Sequence, residues 1–139
     1  MTQDALALDN PLLEWLGVRM AAWEPDTCTF VLDIEPRHLN RQRSLHGGLI
    51  ATMLDAACGY SGAYSAPGEA KRHAVTVMLN TSYIGKVDRG RIEVTGRLTG
   101  SGRKIYFASA ELRRESGELI ATAQGSFKRA TLPQLETSA

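Results

Sequence analysis

The spacing of hydrophobic residues changes several times along the 139-residue chain. Leu12, Leu13, Trp15 and Leu16 share one side of a short helix predicted after Asn10-Pro11. Asn caps free amides there, Pro suits the first helical position, and Gly17 stops the turn. Two strands are predicted at 18–23 and 27–35, joined at Glu24-Pro25-Asp26. In the second, Cys28, Phe30, Leu32 and Ile34 alternate with Thr29, Val31, Asp33 and Glu35. Residues 36–46 read as a polar, basic loop. From Gly47 to about Tyr64 the pattern becomes that of a buried helix with one charge, Asp55, and Ser65-Ala66-Pro67-Gly68 ends it. Stretches 74–85, 91–98, 104–113 and 119–128 are rich in β-branched and aromatic residues and read as strands. Their connections at 86–90, 99–102 and 115–117 are short and carry glycine, which predicts antiparallel neighbours.

The economical arrangement of these elements is one α+β domain, a curved antiparallel sheet of about six strands around a single long helix. Enclosure by the sheet explains why that helix is apolar almost all round. The domain covers residues 1–139, with 1–9 and 131–139 expected to be loose ends because they lack periodic pattern. The helical apolar run is too short, and too rich in Gly, Ser and Thr, to span a membrane.

Composition is that of an ordinary globular protein, 43% hydrophobic and 22% charged, with a formal net charge of +1. Such a balance speaks against a nucleic-acid binder. Cys28 and Cys58 form neither a disulfide framework nor a metal-ligand spacing. The acidic start MTQDALALDN lacks the pattern of a secretory leader, so a reduced, cytoplasmic setting is expected. The near-neutral sum hides a division. Residues 1–36 hold one base, Arg19, against seven acids, while residues 37–139 hold fifteen bases and eight acids. Taken on its own this reads first as chance segregation on a solvated surface, with an anionic ligand for the second part as the sharper alternative.

Chemistry concentrates at Leu45-His46-Gly47-Gly48 and Asp55. Two glycines at a helix start allow close approach to unpaired backbone amides, which can stabilise an oxyanion, although a tight loop entering a packed helix reads the same way. Asp55 is the only charge between Gly47 and Gly68. In a cleft it can act as nucleophile or general base; on an exposed strip it is merely solvated. The two positions lie eight residues apart, about 12 Å along a helix. Cooperation between them therefore requires a second, antiparallel copy of the helix, as a two-fold dimer provides.

Asn40, five intervening residues, His46-Gly47-Gly48, then Asp55, ahead of four strands, resembles the PaaI-type acyl-CoA thioesterases of the hotdog fold. The resemblance covers roughly residues 10–130. It implies a sheet wrapped around a central helix and hydrolysis of a coenzyme A thioester without metal or other cofactor. It also implies a homo-oligomer, at least a dimer and commonly a tetramer. Carried over by position, Asp55 attacks the thioester or activates water, and the Gly47 N–H of the partner subunit polarises the carbonyl. Asn40 orients water or thioester, and His46 shapes the loop. Thr76 matches, after a few inserted residues, a Ser/Thr position that helps hold the water. Gly48 adjoins the donor, and Arg89, Arg91, Arg103 and Lys104 are candidates for the coenzyme A phosphates. Each also has a plainer reading as loop, cap, strand or solvated surface.

Two alternatives stand beside this. A hotdog dehydratase or hydratase pairs a histidine with an acid in other motifs, and Asn40 is followed here by Arg41 rather than proline. A non-catalytic acyl-CoA-binding protein would not need Asp55.

Overall fold

The Asn10 side chain accepts from the Leu13 amide at 3.3 Å and caps helix α1 (Pro11–Leu16), which ends at Gly17 with φ 89°. In this computed structural model residues 8–130 are described. Strands β1 (Arg19–Glu24) and β2 (Thr27–Asp33) follow, then a 3₁₀ turn (Pro36–His38) and helix α2 (Gly47–Ser61). Strands β3 (His73–Tyr83), β4 (Arg91–Ser101), β5 (Ile105–Arg114) and β6 (Leu119–Ala130) complete the chain. They form one six-stranded antiparallel sheet in the order β1-β2-β4-β5-β6-β3.

The connections at 99–102 and 115–117 join neighbouring strands as expected, but β3 and β4 are not neighbours. Between them lie β5 and β6, a separation of about 14 Å at sheet spacing, well within the reach of residues 84–90. That crossover is pinned midway, where Val87 is buried and its carbonyl accepts from the Leu45 amide at 2.8 Å.

Leu49, Ile50, Met53, Leu54, Ala57 and Cys58 turn one broad face of α2 onto the sheet and are buried. Close approach depends on Gly96 of β4, where a Cβ would fall on the Ala57 carbonyl. Across the sheet, Tyr106 stacks on Phe127 with ring centroids 5.3 Å apart and donates to the Gly59 carbonyl at 2.6 Å. Its ring occupies the space beside Gly62, and α2 ends at Ser61 rather than near Tyr64, with Gly62 donating to the Gly59 carbonyl at 3.3 Å. The opposite face of α2, carrying Thr52, Asp55, Ala56 and Gly59, is only half-buried. The helix packs against every strand of the sheet, as expected, while this second face lines a cavity.

The basic loop after β2 is a tether. His38, 2% exposed, accepts from the Glu35 amide at Nδ1, so Nε2 carries the proton and donates to the Leu16 carbonyl at 2.7 Å. Arg37 donates to the Trp15 and Leu16 carbonyls at 2.8 and 3.1 Å, satisfying the end of α1. Of the ends expected to be loose, residues 1–7 and 131–139 lie outside the described residues. Leu8 packs against the core, and Asp9 is held by two partners.

β3 is an open edge of the sheet, with Val75, Val77, Met78 and Tyr83 at least half exposed. No helix among the described residues is long and apolar enough to cross a membrane.

Candidate active site

Asp55 projects from the half-buried face of α2 toward β3. There Thr76 donates from Oγ1 to Asp55 Oδ1 at 2.7 Å. A cavity of about 420 Å³ adjoins the pair. Thr52, Ala56 and Gly59 of α2 line it together with Pro11, Leu12 and Leu13 of α1 and Trp23. At its far side Asp9 accepts from the Tyr60 hydroxyl at 2.9 Å and pairs with Lys71 at 2.9 Å. Partial burial alone would raise the Asp9 carboxyl. Hydrogen bonds from Lys71 and Tyr60, with the Lys71 charge, outweigh it and hold Asp9 below the usual carboxylate range. Burial pushes the Tyr60 phenol up to about 12, so it remains a donor.

Gly47 begins α2 and lies outside this cavity. The exposed His46 caps the helix, its Nδ1 accepting from the Gly48 amide at 2.8 Å, and its carbonyl accepts from the Leu49 and Ile50 amides. The Gly47 N–H has no acceptor among the described residues. It is an unclaimed donor at the positive end of the helix. Glycine at 48 leaves room for the cap, because a Cβ there would stand 3.0 Å from the His46 ring, which would have to shift. At 47 a Cβ would meet only Tyr83, at an ordinary 3.5 Å, so packing within the chain does not demand glycine there.

Asn40 organises the loop before this helix. Its Oδ1 accepts from the Gln42 and Ser44 amides at 2.9 and 3.1 Å, and Arg43 takes φ 67° within the turn. The Asn40 carbonyl oxygen is thereby committed to the loop.

The four basic candidates do not form one group. Arg89 pairs with Asp88 at 3.0 Å and Arg91 with Asp33 at 2.9 Å, at the start of β4. Arg103 and Lys104 are exposed in the turn beyond its other end, roughly 30 Å away at strand rise. One ligand's phosphate groups therefore cannot engage both pairs within a single chain. Thr76 and Asp55 are brought together; Gly47, His46 and Gly48 share the helix start. Sequence reasoning missed Tyr83, Asp9 and Lys71, whose roles depend on strand order and on the path of the N-terminal segment.

No group of three or more metal-ligating side chains occurs among the described residues. A six-stranded antiparallel sheet packed on one long helix is the hotdog architecture of a class of thioester hydrolases. The sequence profile of the thioesterase superfamily matches residues 42–121, and the chain belongs to that superfamily. A Pseudomonas aeruginosa protein with a provisional esterase name is 36% identical over 121 residues, covering 85% of this chain and 87% of its own. Acyl-coenzyme A thioesterase 13 of Mus musculus is 30% identical over 112 residues, covering 75% and 74%. Among solved structures, a conserved Pseudomonas aeruginosa protein superposes with a TM-score of 0.80 at 23% identity, over 94% of this chain and 100% of its own. The E. coli PaaI protein of the phenylacetic acid degradation operon has a TM-score of 0.78 at 16% identity, over 88% and 86%. Identities this low speak to the fold alone.

Proposed function

We propose that the protein hydrolyses an acyl-coenzyme A thioester at a site shared by two copies of the chain. Asp55 and Thr76 of one copy face the Gly47 N–H of the other. The observation that carries this reading is the separation of the two halves. Asp55 sits at the cavity with Thr76 at 2.7 Å, while the unclaimed Gly47 amide lies eight residues back, about 12 Å along the same helix.

The open β3 edge supports the pairing of copies. β3 contacts α2 at both halves of the site, through Thr76 to Asp55 and through Tyr83 to the Gly47 carbonyl. Antiparallel pairing of β3 with its copy, Thr76 near the partner's Tyr83, would bring each Asp55 toward the other chain's Gly47. It would also cover Val75, Val77 and Met78, an exposed apolar edge of the kind single domains avoid.

In this mechanism a water lies between the Thr76 hydroxyl and Asp55 Oδ2. Thr76 spends its proton on Oδ1 and leaves its oxygen to accept from that water. As the water oxygen attacks the carbonyl carbon, Asp55 takes its proton, and the partner's Gly47 N–H holds the developing oxyanion. Collapse breaks the C–S bond, and the thiolate leaves with that proton as free coenzyme A. The acyl group departs as a carboxylic acid. A thioester is already activated, so this route uses no metal or further cofactor. Arg103 and Lys104, without a carboxylate partner among the described residues, suit the coenzyme A phosphates better than the ion-paired Arg89 and Arg91.

Gly47→Pro tests the donor cleanly. Proline is favoured at the first helical position, and His46 already has the extended backbone (φ −62°, ψ 130°) that precedes proline. The substitution deletes the N–H without breaking an intrahelical bond. Thiol release from acyl-CoAs is expected to fall by about 10²–10³; wild-type release would refute the role of Gly47. Single turnover in ¹⁸O-water should place label in the acid product. Label first appearing in Asp55 would show nucleophilic attack instead.

A further inference from the structure

We infer that Tyr83 is a positioning residue for the Gly47 oxyanion donor, an inference that rests on the catalytic reading of Gly47. The peptide between Gly47 and Gly48 is flanked by two residues without Cβ, so side-chain sterics restrain its orientation less than that of an ordinary peptide. Both of its polar ends are held by side chains. Tyr83 donates from its hydroxyl to the Gly47 carbonyl at 2.8 Å, and His46 Nδ1 accepts from the Gly48 amide at 2.8 Å.

The peptide before it, which carries the Gly47 N–H, is anchored by its own carbonyl, since the His46 oxygen accepts from Leu49 and Ile50 at 3.0 and 3.1 Å. The two peptide planes share the φ and ψ angles of Gly47. Fixing the second plane therefore resists a coupled rotation that would re-aim the first. Tyr83 also lays its ring against Gly47, with Cε1 3.5 Å from where a Cβ would stand. This side chain is 54% exposed at the end of an edge strand, yet its hydroxyl is committed to one backbone oxygen. Ordinary surface tyrosines at a sheet edge have no need of that. The Tyr83 contact reaches the helix from outside its own hydrogen-bond ladder and aims the Gly47 amide, which has no acceptor among the described residues.

Tyr83→Phe in the full chain separates aim from packing, because it keeps the ring and removes the hydroxyl. Steady-state thiol release should show kcat lowered about 10-fold, a fraction of the effect of losing the donor, with KM changed less than about twofold. In the Gly47→Pro background the same substitution should add less than about twofold, because the group it aims is gone. The thermal midpoint of Tyr83→Phe should stay at the wild-type value. Wild-type kcat in Tyr83→Phe alongside an inactive Gly47→Pro protein would overturn the role of Tyr83 and leave the donor intact. An equal loss in both backgrounds, or a loss that follows the thermal midpoint, would also overturn it. Wild-type kcat in Gly47→Pro would instead remove the catalytic reading of Gly47 on which the inference rests.

Discussion

Thr76 Oγ1 lies 2.7 Å from Asp55 Oδ1 and donates to it, so the one acid of the central helix is gripped by the open edge of the sheet. The bond fixes one carboxylate oxygen of a side chain that lines the cavity, and the other has no hydrogen bond among the described residues. It also couples the site to β3, the strand with which a second copy would pair.

Asp55→Asn keeps the size of the side chain and removes its basicity, so thiol release should fall by about 10²–10⁴. Thr76→Val keeps the strand and removes the hydroxyl; a loss of about 10-fold is expected, from poorer placement of base and water. Both proteins should unfold in urea close to the wild-type midpoint. Activity surviving Asp55→Asn would remove the acid from the mechanism.

Two glycines should respond oppositely in stability. A Cβ at Gly96 runs into the Ala57 carbonyl, so Gly96→Ala must push helix and sheet apart, at about 3 kcal/mol or more in urea unfolding. Gly47→Ala meets only Tyr83 at 3.5 Å, and the better helix former should leave stability unchanged or raise it by up to about 1 kcal/mol. A comparable loss at both sites would contradict the packing described.

Acid should release the Asp9 contact at the edge of the cavity. Asp9 is held below its ordinary value, because hydrogen bonds from Lys71 and Tyr60 outweigh the effect of burial. A carboxyl lowered on folding stabilises fully above its unfolded value and loses that contribution as pH falls through the folded one. The urea midpoints of wild type and Asp9→Asn should therefore differ most near neutrality and converge as pH drops below about 4. A gap that is constant with pH would show that the Asp9 charge adds nothing.

Both thiols should be silent in the native protein. Cys28 and Cys58 are buried, and burial, reinforced by the Asp55 charge, pushes Cys58 up to about 12; burial alone moves Cys28 higher still. A thiol reagent should label neither residue until denaturant is added, and then both. Rapid native labelling of either would mean that the α2–sheet contact opens readily.

The long helix and its lone acid were legible because fifteen residues without proline, and with a single charge, admit few other readings. The strands were legible from their β-branched and aromatic residues; Asp55 and Thr76 were marked separately, Thr76 through the family resemblance alone, and only the fold joins them. Strand order was less so. The short segment at 86–90 looks like a hairpin connection but carries the chain across two intervening strands, with its own Val87 buried on the way. Arg89, Arg91, Arg103 and Lys104 looked like one basic surface because sequence does not show that they flank opposite ends of one strand, nor that Asp33 reaches Arg91 from its neighbour. Asp33 takes Arg91, and Asp88 takes Arg89. Tyr83 gave no signal at all, since its importance lies in reaching the start of a helix 36 residues earlier.

The claim that each site is built from two chains is tested most directly by mixing two inactive proteins. Asp55→Asn and Gly47→Pro chains, co-expressed with different tags, form mixed dimers in which one site holds both defects and the other holds none. Random pairing then predicts recovery of about a quarter of wild-type thiol release, all of it in the doubly tagged fraction. No recovery above the two parents in that fraction would place Asp55 and Gly47 in separate roles and contradict the account.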